Sequence, residues 1–188
     1  LGNRILFDTP ERGRRSALLV ALVAMAVASA GCAGTKVAMT PLQVSLWPGA
    51  QIFSQDSPVR GIALDLVGGV QDDVAGLDVG LLNTVDKELT GIGAGAINLG
   101  HGHVRGIQVG FGNTADTSLA GVQISIANQV DGAAKGAQLG VGNFAGKCVG
   151  VQIGVVNKVD SSKCLQLGLF NLNPSGFLPF FPIFLMGF

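Results

Sequence analysis

The 188-residue chain has no tyrosine, one tryptophan, two histidines and three cysteines, and charged residues make up only 13 % of it. Each shortage excludes something. With 12 basic residues against 12 acidic ones, no global field gathers nucleic acid or an anionic surface. Three cysteines do not build a disulfide scaffold. No P-loop, Gly-x-Ser-x-Gly elbow or convergent Ser/His/Asp set is present, so no enzyme and no cofactor are predicted. What is abundant is glycine, at 29 residues, without the Pro/Gln/Ser bias of a disordered chain.

Those glycines keep time. Units start at Gly61, Gly76, Gly91, Gly106, Gly121 and Gly136, 15 residues apart, and then at Gly150 and Cys164 after steps of 14. Residues 121–128, Gly-Val-Gln-Ile-Ser-Ile-Ala-Asn, show the pattern. Counting the starting glycine as position 0, positions 1, 3 and 5 are apolar in every unit, for instance Val122, Ile124 and Ile126. That is the period-2 signature of a strand with one buried face. Helix is excluded, because the intervening glycines would cost about 1 kcal/mol each. Position 2 is glutamine in the last five units (Gln108, Gln123, Gln138, Gln152 and Gln166) and position 4 is mostly glycine. With positions 1, 3 and 5 inward, the glutamines form an outward amide ladder on a flat Gln/Gly face, the possible contact face for a protein partner. Position 7 is asparagine at Asn83, Asn98, Asn113, Asn128, Asn143, Asn157 and Asn171, a residue suited to corners because it tolerates the left-handed region and bonds nearby backbone. Val70, Val85, Val130 and Val159 follow, and Val59, Val74, Leu89, Val104, Leu119, Ala134 and Cys148 precede the starting residues by two. Both columns are expected to point inward on a shorter return leg.

One unit cannot bury its own aliphatic residues, so stability must come from stacking. Identical surroundings at each asparagine favour parallel stacking, hence an all-β β-solenoid of about eight coils of 14–15 residues. The alternative is a small antiparallel β-barrel in the outer membrane, one strand and turn per unit. Against it, a meander would repeat every ~30 residues, and aromatic girdles are missing.

The ends depart from the repeat, as terminal repeats do. Residues 42–47, Leu-Gln-Val-Ser-Leu-Trp, match positions 1–6 as a degenerate first coil, with Pro48 where asparagine belongs. Residues 177–188 are rich in phenylalanine and proline and read as a cap. Upstream, Arg12, Arg14 and Arg15 precede an uncharged apolar run over 17–30, the layout of a secretory signal peptide and too short for a comfortable membrane span. Ala28-Ser29-Ala30 fits a small-x-small cleavage site. Ser29-Ala30-Gly31-Cys32 resembles a lipobox in which Cys32 is lipidated, although Ser29 stands where an aliphatic residue is usual. The resulting division is signal peptide 1–31; anchor, linker and degenerate coil 32–58; repeat domain 59–173; C-terminal cap 174–188.

Three smaller groups carry weaker signals. His101 and His103, with Asp86 and Glu88 a coil below, make an incomplete metal site, so no metal is predicted. The turn aspartates lack the calcium-binding nonapeptide. Cys148 and Cys164, one rung and two residues apart, would sit ~8 Å from each other in regular geometry, which favours two buried thiols over a disulfide.

The Gly-φ-Gln-φ-Gly-φ-φ-Asn units and the Pro/Phe-rich tail resemble the bacterial surface-repeat proteins first noted in leptospires, over about residues 42–188. The resemblance implies an exported envelope protein and brings no catalytic residues. The function expected is structural, display or adhesive, from an outer-membrane-anchored lipoprotein that meets the membrane through the lipid on Cys32.

Overall fold

The computed structural model describes residues 38–47, 50–176 and 178–186. The signal-peptide and lipobox readings, Cys32 included, lie outside the described residues, as does Pro48. Among the described residues there is no helix. Ten strands follow in order: β1 (Thr40–Trp47), β2 (Ala50–Gln51), β3 (Val59–Gly100), β4 (His103–Val109), β5 (Gly112–Ala115), β6 (Ser118–Ile124), β7 (Ala127–Leu139), β8 (Gly142–Ile153), β9 (Val156–Leu172) and β10 (Phe180–Met186).

The coils stack parallel and in register. Gly91 pairs with Gly106, Gly106 with Gly121 and Gly121 with Gly136, and Asn98, Asn113, Asn128, Asn143 and Asn157 align one above the next. The result is a β-solenoid of about nine turns, one more than the eight units because the degenerate coil adds its own. A closed antiparallel barrel is thereby overturned: the repeat-to-repeat pairings are parallel throughout. The 14-residue step is absorbed on the return leg, where the register shifts between Val130 and Ala133.

Four coils bend sharply at positions 4–5 (Gly110-Phe111, Ser125-Ile126, Gly140-Val141 and Gly154-Val155), and one bends again near positions 10–11, at Asp116 and Thr117. The third change of direction is the starting glycine itself. Gly61 through Gly150 hold φ between +132° and +151°, and a Cβ on Gly121 would lie 1.9 Å from the carbonyl oxygen of Gly106 below it. From Gly61 to Gly150 only glycine fits that column.

Both ends are closed by antiparallel strands. Leu42, Gln43 and Val44 of β1 pair with Ile62, Ala63 and Leu64, which confirms the degenerate coil, and β2 folds back on β1. At the other end β10 pairs antiparallel with β9, its register shifting around Pro182. The tail closes this end of the stack as an edge strand on which Phe180, Phe181 and Ile183 are exposed.

Candidate functional site

The inward set of each coil is small and half polar. In the coil of Gly121 it is Gln123, Asn128, Val130 and Ala134, each between 0 and 4 % exposed. The return-leg columns are buried as expected: Val59, Val74, Leu89, Val104, Leu119, Ala134 and Cys148 before the starting residues, and Val85, Val130 and Val159 after the asparagines. Val70 is half-buried.

The first leg is inverted. Gln108, Gln123, Gln138, Gln152 and Gln166 point into the solenoid at 0–1 % exposure, so they form no contact face. The aliphatic residues at positions 1, 3 and 5 point out, with Phe111 67 %, Ile126 55 % and Val141 52 % exposed. The physical reason is parity. A strand that runs unbroken through the glycine corner, as β6 does, alternates faces without interruption. Leu119 at position −2 is then in phase with Gln123 at position 2, and out of phase with Val122 and Ile124. Placing both Leu119 and Val122 inward requires a break in alternation that the glycine corner does not supply.

Burying a glutamine column is tolerable because each amide bonds its neighbour, leaving only the Oε1 of Gln166, at the end of the ladder, without a partner. The Nε2 of Gln123 donates to Oε1 of Gln108, and Gln138, Gln152 and Gln166 continue the chain at 2.7–3.0 Å. The asparagines form a second ladder, from Asn83 through Asn171, at 2.8–3.1 Å. Their Nδ2 groups also donate to the position-3 carbonyls of the next coil, as Asn113 does to Ile124 and Asn128 to Leu139. These residues thus brace the bend from inside. None adopts positive φ, so the corner role is carried by side-chain bonds and not by left-handed backbone. The two ladders donate in opposite directions along the axis, which sets their amide dipoles against each other.

Outside, charge is sorted by column although the total is zero. Arg60, Arg105, Lys135 and Lys163, all exposed, occupy the position immediately before the starting residue, on one ladder just across the corner from the aliphatic face. Asp116, Asp131 and Asp160 line the far bend, also exposed. The histidines do not converge: His101 Nδ1 meets Asp116 Oδ2 at 2.9 Å and His103 Nδ1 meets the Ser118 hydroxyl at 2.8 Å.

Cys148 and Cys164 are joined in a disulfide, with Cα atoms 5.4 Å apart and both residues buried, in place of the expected pair of thiols. Cys164 replaces the starting glycine and does not share its positive φ, so the rung spacing of a regular corner does not apply there.

No protein-family model, curated protein or solved structure matches the chain.

Proposed function

We propose that the protein is an exported, lipid-anchored component of a bacterial cell envelope, attached through Cys32 at the outer membrane, and that it acts without catalysis by lying along the membrane on its aliphatic face. The observation that carries this reading is the outward column set at positions 1, 3 and 5. Eight stacked coils at ~4.8 Å, each exposing a ~13 Å leg from the starting residue to the bend, present on the order of 500 Å² of nearly charge-free surface. That is in the upper part of the ~300–600 Å² that a monomer usually leaves bare, and such patches mark sites of association.

The occupant that fits is an anionic lipid surface. Arg60, Arg105, Lys135 and Lys163 border the face along one corner, an arrangement that sets cations at headgroup level while the aliphatic side chains enter the acyl boundary. The column of Asp116, Asp131 and Asp160 lies away from that corner, although Glu88 pairs with Arg105 there at 3.3 Å. The Cys148–Cys164 disulfide supports export, because such bonds persist in oxidising compartments.

Vesicle flotation tests the face. A Cys32→Ala chain, which carries no lipid, is expected to float with phosphatidylglycerol-containing vesicles, to release as salt rises, and to lose binding when Phe111, Ile126 and Val141 are changed together to serine. Failure to float overturns the membrane assignment. If those serine substitutions instead dissolve a dimer, the face belongs to a second copy. Export and anchoring are tested separately: globomycin should accumulate an unprocessed precursor, and Cys32→Ala should abolish that response.

A further inference from the structure

The glutamine ladder is interrupted for three rungs near the N-terminal end, and a different polar cluster fills the gap. Position 2 reads Gln43, Ala63, Asp78, Gly93 and Gln108 in successive coils. Where two glutamine side chains give way to alanine and glycine, a carboxylate stands between them. Asp78 is 0 % exposed, and its carboxylate has no polar partner besides the carboxylate of Asp65.

A second buried carboxylate faces it. Asp65, 2 % exposed, occupies position 4 of the coil below, and the two side chains are in contact. Gln71, wholly buried, donates its Nε2 to both Asp65 oxygens at 3.1 and 3.3 Å and leaves its own Oε1 without a partner. Asn83, also buried, donates its Nδ2 to the Asp78 carbonyl at 3.3 Å, and its Oδ1 is again unpartnered. That Oδ1 and the Asp65 Cβ both lie 2.6 Å from where a Cβ on Gly80 would sit, so Asn83 reaches the same space as the acid pair. No buried lysine or arginine balances the two carboxylates among the described residues.

We propose that Asp65 and Asp78, with the amide oxygens of Gln71 and Asn83, hold one calcium ion inside the solenoid, taken up as the coils close. The donors are all oxygen, which selects a hard cation over zinc or copper. Two carboxylates match a divalent charge, and calcium accepts six to eight oxygens in irregular geometry where magnesium demands a regular octahedron. The ion takes over the stacking role of the missing amides: it ties the coil of Gly61 to the coil of Gly76 where no side-chain ladder crosses. Uptake is coupled to folding, because the unfolded chain holds no such cage.

The test is refolding of the full mature chain with calcium or with chelator, followed by desalting and elemental analysis. The expected result is about one calcium retained per chain and a thermal midpoint raised by about 5 °C or more at saturating calcium. Asp65→Asn combined with Asp78→Asn should retain no calcium and melt at one temperature in both buffers. Asp78→Gln, which restores the column residue, serves as a second variant should the double change fail to fold, and should likewise lose the calcium response. Wild-type protein that retains no calcium and melts identically in both buffers overturns the proposal and leaves a proton as the charge that the pair shares.

Discussion

Gln123 illustrates what the buried amides do for this molecule. It accepts from Gln138 and donates to Gln108, so removing it strands one donor and one acceptor in a sealed interior. Each stranded group costs about 1–3 kcal/mol, so Gln123→Leu should lower stability by roughly 3 kcal/mol in urea titration despite adding an apolar residue to a core. Ile126→Ser, three residues away on the outer face, should stay within about 0.5 kcal/mol of wild type. The opposite ranking would return the aliphatic columns to the interior. Asp78 makes a prediction of another sign. Burial, with the neighbouring Asp65 charge, raises its pKa from 3.8 to about 8. Between those values the folded, metal-free chain keeps a proton that the unfolded chain has released, so stability falls as pH rises through that window and levels above it. In chelator, a series of melts from acid to pH 9 should show this decline for wild type and a flatter profile for Asp78→Asn.

At the scale of the coil, the starting glycine and the asparagine brace divide the work of turning the chain. Gly121 combines φ of +151° with a backbone oxygen 1.9 Å from any Cβ, and that oxygen belongs to the ladder of the coil below. Gly121→Ala should therefore cost about 3 kcal/mol or more, through backbone strain and a displaced rung. Gly112, with nothing within 4 Å of its Cβ position and no positive φ, is the control, and Gly112→Ala should be neutral or slightly stabilising. The period, the parallel register, the degenerate first coil and the inward return leg were all legible from residue spacing. The facing of the first leg was legible too, in the even offset between Leu119 and Gln123, but hydrophobicity pulled the opposite way. Aliphatic residues outnumber glutamines on that strand, and only an in-register stack makes a buried glutamine cheaper than an exposed one. The acid pair was harder to see: Asp65 and Asp78 differ by 13 residues, not 15, and meet only because positions 4 and 2 of adjacent coils face the same space. The disulfide was hidden for a similar reason, since Cys164 alters the corner from which its own distance was reckoned.

Over the whole molecule, each coil touches only its neighbours, so stability is a sum of coil and interface contributions and loss begins at an end. Among the described residues, the C-terminal end is the one with a covalent staple. Cys148 and Cys164 are 16 residues apart and bridge the coils that start at Gly136, Gly150 and Cys164, just before β9 meets its antiparallel edge strand. A loop of this size restricts the unfolded chain by about 3 kcal/mol. In a two-state globular domain, losing that contribution would raise hydrogen exchange everywhere. In a stack it should act locally, because the coils of Gly106 and Gly121 keep both neighbours and both amide ladders. Replacing Cys148 and Cys164 with serine should therefore speed amide exchange in β9 and β10 markedly, with protection in β4 and β6 changed little. Uniform acceleration across all coils would show that the solenoid opens as one unit, and the ladders would then have to couple its ends far more strongly than nearest-neighbour contact provides.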